Sequence, residues 1–301
     1  MSLTGELLPS ISHHSLEQLL TTPARFISFA QNGEDVILNR VLHGIERGTY
    51  VEVGANHPKY DSVSRSFYER GWSGLAIEPN PIFAALYREE RPRDEVIEAA
   101  VTDSSEANIT LHLIDGTGLS TLMDEISVGH ADHGMCVKDV TVPTVRLDNA
   151  IAKHGFAETE IHFLLIDTEG AELQVLRSID LTKVRPWILI VEATTPGSTA
   201  PNHAAWEPLV LDAGYHFCLF DGLSRYYVSS EKGEEFLQLL SYPVCVFDDF
   251  VTLNELRLKE ELDETSARLD EALALTAALR ATWSWRLTRP LRAVRTLLGP
   301  R

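Results

Sequence analysis

Apolar and polar positions follow two alternating patterns between about residues 49 and 251. Short, nearly continuous apolar runs, as strands buried on both faces require, are separated by stretches with helical spacing. This alternation predicts an α/β fold in which helices cover both faces of a mostly parallel sheet. The apolar runs are, in order, TYVEVG, SGLAIEP, EVIEAAV, IHFLLID, PWILIVEAT, YHFCLFDG and SRYYVSS. A tight DGLSR connection joins the last two runs, so we expect these two to pair antiparallel.

Two segments depart from this alternation. The runs ITLHLID and VTVPTVRL are joined by a polar, glycine-containing stretch, residues 116–139, which predicts a loop or small cap inserted at the edge of the sheet. After Val251 the chain continues for about thirty residues without glycine or proline and repeats apolar positions every seven residues. This second pattern predicts one long helix.

These changes of pattern predict three parts: an N-terminal helical lid (1–48), an α/β domain (49–251) and a helical tail (252–301). The long helix of the tail either lies on its own domain or forms a coiled coil with a second copy of the chain. The end of the tail, from Ser284, carries five arginines and no acid. This basic amphipathic end either lies on an anionic membrane surface or docks on the acidic body of the protein.

Composition narrows the classes of partner and compartment. The formal net charge of −18 disfavours nucleic-acid partners, because a protein that repels phosphate gains nothing from counterion release. The three cysteines, Cys136, Cys218 and Cys245, form no CxxC motif and are odd in number, which argues against a disulfide framework or a cysteine zinc site. With no signal-peptide pattern and no apolar run of about 18 residues, we expect a cytoplasmic protein, at most peripheral at the inner membrane.

Acids and a glycine at strand ends predict a cofactor site. The run TYVEVG contains Glu52 and Gly54 and is followed by Asn56, and a glycine there lets the backbone turn sharply and a ligand approach closely. The next strand ends at Glu78, where an acid can accept hydrogen bonds from both ribose hydroxyls of an adenosine. Both S-adenosylmethionine and a nicotinamide dinucleotide fit this pattern. The absence of a G-x-G-x-x-G motif and the final antiparallel pair favour S-adenosylmethionine.

Eight segments of the chain, taken in order, carry a resemblance to a known family. They are SFAQNGEDVILNRV, GTYVEVGANHP, GWSGLAIEPNP, EVIEAAV, GLSTL, VPTVRLDNAI, LLIDTEGAELQVL and ILIVEAT. Together they resemble the FkbM-type S-adenosylmethionine-dependent methyltransferases over about residues 28–251. The resemblance implies a Rossmann-like class I methyltransferase fold, with a mostly parallel seven-stranded sheet and a final antiparallel strand. It also implies O-methylation, often of sugar hydroxyls.

The resemblance implies that Glu52, Gly54, Asn56 and Glu78 hold the cofactor. We predict a site formed by residues at the ends of neighbouring strands. Its predicted members are Glu52, Gly54, Ala55, Asn56, Glu78, Pro79, Ala100 and Asp167.

Methyl transfer to a hydroxyl needs a group that removes a proton from a very weak acid. Asp167 ends the strand IHFLLID, Glu169 follows at the start of the next helix, and Glu192 ends the neighbouring strand. We predict that these three acids converge and form the catalytic group. Asp167 and Glu192 could instead hold Mg²⁺, which would lower the pKa of the hydroxyl. For Glu172 we expect a structural role at the positive end of the helix.

Several polar residues in loops are candidates for contact with the acceptor. They are His57, Ser120, Thr121 and His203, for which turn or surface roles remain open. The motif QNGED, before the first strand of the domain, either contributes to a lid over the cofactor or forms a helix N-cap. The lid would use Gln31, Glu34 and Asp35, whereas the cap would use Asn32 or Ser28.

The sequence therefore predicts an S-adenosylmethionine-dependent O-methyltransferase that acts on a sugar hydroxyl of a glycan or surface-polysaccharide precursor. The segment SWRLTRPLR, similar to endings of proteins from bacterial surface-polysaccharide clusters, favours a glycan acceptor. Two other hypotheses remain: a nicotinamide-dependent oxidoreductase, and a non-catalytic scaffold that is recruited by its C-terminal tail.

Overall fold

The structure is a computed structural model that describes residues 25–114, 137–288 and 290. The chain divides into two compact units, residues 1–250 and residues 251–301. Of the predicted N-terminal lid, residues 1–24 lie outside the described residues, and the remainder contributes one short strand and one helix.

The secondary structure of the described residues begins with a short strand and ends in helices. The strands are β1 Phe26–Ser28, β2 Thr49–Val53, β3 Ser73–Ile77, β4 Glu95–Ile97, β5 Ala100–Val101, β6 Asn108–Ile114, β7 Val137–Val145, β8 Phe163–Ile166, β9 Ile188–Glu192, β10 Tyr215–Phe220, β11 Ser224–Ser229 and β12 Phe250–Thr252. The α-helices are α1 Glu34–Leu42, α2 Arg65–Glu69, α3 Pro81–Glu90, α4 Leu147–Lys153, α5 Glu172–Arg177, α6 Glu207–Asp212, α7 Gly233–Leu239, α8 Leu253–Ala281 and α9 Trp283–Leu287. Two 3₁₀-helices are His203–Ala205 and Ser230–Lys232.

The main sheet has seven strands in the order β10-β11-β9-β8-β2-β3-β4. Neighbours from β9 to β4 are parallel, whereas β11 is antiparallel to both β9 and β10. The predicted mostly parallel sheet with an antiparallel final strand is therefore confirmed. Parallel pairing matters for function, because it brings the carboxyl ends of β2, β3, β8 and β9 to one edge of the sheet.

Both faces of this sheet are buried, since successive residues of a strand point to opposite sides. On one face Val51 and Ile166 belong to an apolar cluster that includes residues of α4, α5 and α6. On the other face Tyr50 and Leu165 belong to a cluster that includes residues of α1, α2 and α7. Burial on both sides explains why the strands read as continuous apolar runs rather than alternating ones.

The run EVIEAAV, predicted as one strand, is divided in the structure. β4 stays in the main sheet, whereas β5 pairs with β7 in a separate three-stranded sheet of order β5-β7-β6. Glu98 lies between β4 and β5 and forms a partly exposed ion pair with Arg88 at 3.0 Å. The prediction of a single strand was wrong because this charged side chain stays at the surface, where the chain leaves the main sheet. The inserted segment 116–139 lies outside the described residues except for the start of β7.

The predicted long helix is confirmed as α8. Thr252 begins it with a capping box, in which the side chains and backbone N–H groups of Thr252 and Glu255 bond reciprocally. Apolar side chains of its seven-residue repeat are exposed, among them Leu262 and Leu269. Self-association and contact with a membrane surface or the α/β domain stay predictions. Among the described residues, no helix is both long and apolar enough to cross a membrane.

A fully buried arginine fixes the loop that follows β2. Arg91 donates to Asp94 at 2.7 Å, to the hydroxyl of Tyr50 at 2.6 Å and to Oγ of Ser64 at 2.7 Å. The same Ser64 hydroxyl donates to the carboxylate of Glu52 at 2.5 Å. A charge removed from water is tolerated only when partners satisfy it, so this network ties the end of α3 to β2 and its loop.

Replacing Arg91 by methionine tests this network. We expect Arg91→Met to lower the free energy of unfolding by about 3–5 kcal/mol, because Asp94 is left buried without its cation. The matched change Arg88→Met removes only a partly exposed ion pair with Glu98, and we expect a loss within about 1 kcal/mol. Urea unfolding measures both values. Equal losses in the two variants would contradict the role of Arg91.

Candidate active site

A cavity of about 290 Å³ opens at the carboxyl ends of β2, β3 and β8. It lies at the edge of a parallel sheet, where α/β proteins commonly bind cofactors. All of the residues predicted from sequence to hold the cofactor line this cavity. They are Glu52, Gly54, Ala55, Asn56, Glu78, Pro79, Ala100 and Asp167.

Gly54 is required by a close approach of two backbone segments. It has a φ of 78°, and a Cβ atom at this position would lie 1.7 Å from the carbonyl oxygen of Asp167. Asn56 also has a positive φ, of 52°. The sequence led us to expect a glycine that makes room for a ligand, whereas the structure shows that it makes room for the strand end beside it.

Glu78 is held in place by backbone donors. Its side chain is 5% exposed, one carboxylate oxygen accepts from the N–H of Asn56 at 2.7 Å, and the other accepts from the N–H of Asn80 at 2.7 Å. Burial raises the pKa of this carboxyl to about 7, although both hydrogen bonds oppose the shift. Because each carboxylate oxygen has a further lone pair, Glu78 can still accept the two hydroxyls of a ribose.

Glu52 lines the same cavity but belongs to the network of Arg91. One of its oxygens accepts from the N–H of Ser64 at 3.0 Å, and the other accepts from the Ser64 hydroxyl and, at 3.2 Å, from the hydroxyl of Tyr87. Burial raises the pKa of Glu52, and the charge of Arg91 opposes this effect. The geometry indicates that Glu52 positions the loop after β2, and its direct contact with a cofactor stays a prediction.

Three acids meet beside the cavity. One oxygen each from Asp167, Glu169 and Glu192 lies within 4.8 Å of the other two. Burial raises the pKa of all three carboxyls, and mutual repulsion raises those of Glu169 and Glu192 further. A side-chain hydrogen bond joins Asp167 and Glu192 and lowers the pKa of Asp167. Asp167 and Glu169 line the cavity.

The turn DTEG that carries two of these acids is shaped by Glu172. Its Oε1 accepts from the N–H of Thr168 at 3.2 Å, from the Thr168 hydroxyl at 3.1 Å and from the N–H of Gly170 at 3.0 Å. Glu169 and Gly170 take positive φ values of 51° and 103°. Glu172 thus has the structural role at the start of α5 that we expected from the sequence.

The predicted lid motif contributes two residues to the cavity, Gln31 and Glu34. Glu34 is 4% exposed, and burial raises its pKa to about 8. Asp35 is buried instead against the hydroxyls of Ser28 and Ser66, at 2.7 and 2.6 Å. Through these hydrogen bonds Asp35 holds the start of α1 in place, and it does not line the cavity.

The alternative N-cap for α1 was wrong. Neither Asn32 nor Ser28 caps this helix, since the N-cap residue is Gly33, with a φ of 77° and no side-chain hydrogen bond. Glu34 accepts from the N–H of Asn32 at 3.0 Å instead. A glycine takes the left-handed conformation without steric cost. A serine or asparagine at this position would carry that cost.

The structure does not bring the predicted acceptor contacts together. Neither histidine lines the cavity: the ring of His57 accepts from two backbone N–H groups of its own turn, and the ring of His203 lies 3.8 Å from Glu207. Ser120 and Thr121 lie outside the described residues. Contact of these four residues with an acceptor stays a prediction.

Apolar side chains that sequence reasoning missed complete the wall. They are Val63, Phe83, Leu111 and Leu165. No motif marks them, because an apolar residue near a strand or helix end is equally suited to a core. Leu111 belongs to β6, so the small sheet closes one side of the cavity, which no local pattern could reveal.

The sheet order and the cavity at its carboxyl edge define a Rossmann-like α/β protein with the topology of class I methyltransferases. The family described as methyltransferase FkbM domain matches residues 52–217, which is more than half of the chain. The chain belongs to the FkbM methyltransferase family. It is therefore a methyltransferase, and the methyl donor is S-adenosylmethionine.

Solved structures give only distant likenesses. A TehB-like S-adenosylmethionine-dependent methyltransferase from Corynebacterium glutamicum is 7% identical with a TM-score of 0.37, covering 72% of this chain and 95% of that one. A protein described as a candidate methyltransferase of this kind, from Methanococcus maripaludis, is 8% identical with a TM-score of 0.31, covering 65% and 84%. A candidate RNA methyltransferase from Pyrococcus horikoshii is 9% identical with a TM-score of 0.34, covering 72% and 97%. No curated protein matches the chain, and likenesses with such TM-scores support no inference about function.

Replacing Gly54 by alanine tests the close approach of strand ends. Because the added Cβ would collide with the backbone of Asp167, we expect Gly54→Ala to lose binding of S-adenosylhomocysteine, the demethylated product. The control is Gly155→Ala. Gly155 also has a positive φ, of 82°, but a Cβ atom added there would have no neighbouring atom within 4 Å. This substitution should cost only about 1–2 kcal/mol of backbone strain and leave binding unchanged. Calorimetric titration compares the two, and equal affinities would count against the role of Gly54.

The raised pKa of Glu78 predicts a pH-dependent affinity. The ionised carboxylate accepts ribose hydroxyls better than the neutral acid, so binding strengthens as Glu78 loses its proton. With a pKa of about 7, affinity for S-adenosylhomocysteine should rise up to about tenfold from about pH 6 to about pH 8. Glu78→Gln should remove this step, whereas Glu34→Gln should keep it. An affinity of the native protein that is independent of pH would refute the assignment.

Proposed function

We propose that this methyltransferase transfers the methyl group to oxygen, on a sugar hydroxyl of a glycan or surface-polysaccharide precursor. The observation that carries the proposal is the group of three acids beside the cavity, with Asp167 and Glu169 in its wall. A sugar hydroxyl is a very weak acid, and its oxygen becomes a good nucleophile only as its proton is removed.

The cofactor fits the residues that would hold it. Glu78 is fixed by two backbone donors with lone pairs to spare for the ribose hydroxyls. The described lining residues include acids but no lysine, arginine or histidine, and these acids are Glu34, Glu52, Asp61, Glu78, Asp167 and Glu169. Such a wall suits a positively charged sulfonium. It repels the pyrophosphate of a nicotinamide dinucleotide, which argues against the oxidoreductase hypothesis.

Bound S-adenosylmethionine supplies a methyl group on a positively charged sulfur. The protein's own task is to orient the acceptor hydroxyl and to take up its proton. Raised pKa values make the carboxylates stronger bases than ordinary surface acids, which improves proton transfer from an alcohol. Asp167 has a cavity position and a hydrogen-bonded partner in Glu192 that orients it. We therefore assign Asp167 as the base, with Glu169 beside it.

A sugar acceptor is supported by the polar part of the cavity wall. Gln31, Glu34 and Asp61 present amide and carboxylate oxygens there, and such oxygens accept hydrogen bonds from several hydroxyls at once. The sequence resemblance to FkbM-type enzymes and the similarity of the tail to proteins of surface-polysaccharide clusters point in the same direction.

Variants at two positions separate cofactor binding from chemistry. Glu78→Ala should lose binding of S-adenosylhomocysteine, for which we expect a dissociation constant of the native protein near or below about 100 μM, roughly −5.5 kcal/mol. Asp167→Asn should bind it but lose methyl transfer. Transfer from radiolabelled S-adenosylmethionine is measured on methyl glycosides of neutral hexoses and deoxyhexoses and on nucleotide-linked sugars, with NMR of the product to identify an O-methyl group.

The control is Glu231→Gln, which alters an exposed ion pair with Arg185 away from the cavity and should leave both binding and turnover unchanged. Turnover retained by Asp167→Asn would remove the proposed base. A methyl group found on nitrogen or carbon, or transfer only to acceptors that are not sugars, would refute the proposed reaction.

A further inference from the structure

The three acids beside the cavity are placed together by the main sheet and one turn. β8 and β9 are parallel neighbours with Ile166 opposite Val191, so Asp167 and Glu192, the next residue of each, lie side by side. The left-handed turn at Glu169 and Gly170 bends the chain back after β8. One oxygen of each acid thereby comes within 4.8 Å of the other two.

Glu192 supplies an independent sign that this group binds a ligand. Its side chain is 5% exposed, and its Oε2 is buried with no hydrogen-bond partner among the described residues. A buried carboxylate oxygen without a partner is costly, because it has lost water and gained nothing in return.

None of the described lysines and arginines compensates the pair of Asp167 and Glu192. None of the ion pairs between described residues includes Asp167 or Glu192. The stretches of the first unit that lie outside the described residues, 1–24 and 115–136, contain no lysine or arginine in their sequence. A cation from solution can therefore balance these acids.

We propose that Asp167, Glu169 and Glu192 bind one hard divalent cation, Mg²⁺ or Ca²⁺. Carboxylate oxygens are the ligands that both ions prefer. Two oxygens on opposite sides of Ca²⁺ lie about 4.6–5.2 Å apart, and on opposite sides of Mg²⁺ about 4.0–4.2 Å apart. The three oxygens lie within 4.8 Å of one another, so their spread does not exceed what one Ca²⁺ spans and is at most about 0.6–0.8 Å wider than what one Mg²⁺ spans.

The position of the ion gives it a role in the reaction. Asp167 and Glu169 line the cavity, so a cation held by them can take an acceptor hydroxyl as a further ligand and lower its pKa. This role rests on the proposed function, but binding of the ion does not, since the three acids hold it whether or not an acceptor is present.

Binding of Mn²⁺ to the full chain, stripped of metal by a chelator, tests the site. Mn²⁺ has the same preference for oxygen ligands and is counted by electron paramagnetic resonance. We expect one Mn²⁺ per chain, displaced by Mg²⁺ and Ca²⁺. Glu192→Gln should weaken binding at least about tenfold, which is about 1.4 kcal/mol.

Two further variants keep the test decisive. Asp167→Asn should weaken binding by a similar factor, so the site remains testable if Glu192→Gln fails to fold by circular dichroism. The control Glu231→Gln should bind Mn²⁺ as the native chain does. Absence of Mn²⁺ binding at about 1 mM, or binding unchanged in both site variants, would overturn the proposal. Since no acceptor is used, neither result depends on whether the protein methylates a sugar.

Discussion

Four neighbouring strands of the main sheet bring acids to the same edge. Glu52 and Glu192 lie in β2 and β9, and Glu78 and Asp167 directly follow β3 and β8. A carboxylate taken out of water costs several kcal/mol unless it is hydrogen-bonded or paired, so each of these acids needs its own compensation. How each one is compensated decides whether it supports the fold or is available for chemistry.

The compensation differs from strand to strand. Glu78 is satisfied by two backbone N–H groups, and Glu52 by Ser64, Tyr87 and the nearby charge of Arg91. These partners belong to the fold, so the positions of Glu78 and Glu52 in the cavity wall are set by the fold itself. Asp167 and Glu192 have mainly each other, and such a pair can take up a cation or the proton of a substrate. The base that we propose thus lies where the fold compensates an acid least.

The strand ends and their acids were accessible from the sequence, because both signals are local. A strand buried on both faces reads as a continuous apolar run, and an acid or glycine at its end stands out in that run. Because the strands pair in parallel, residues such as Gly54 and Asp167 then meet at one edge of the main sheet. That these residues line one cavity could therefore be predicted without knowing a single distance. The break in EVIEAAV could not, since it depends on Glu98 reaching Arg88 from another element.

Contacts between distant parts of the chain explain what the sequence did not reveal. Arg91 stands in the charged stretch REERPRDE, which is typical of an exposed loop. It is nevertheless fully buried, because hydroxyls from β2, from the loop after β2 and from α3 surround it. Leu111 lines the cavity only because a second sheet packs there. The position of Glu192 at a strand end could be predicted from the sequence, but the lack of a hydrogen-bond partner at its Oε2 could not. Whether a buried oxygen has a hydrogen-bond partner depends on the positions of all the groups around it. Only the structure shows these positions.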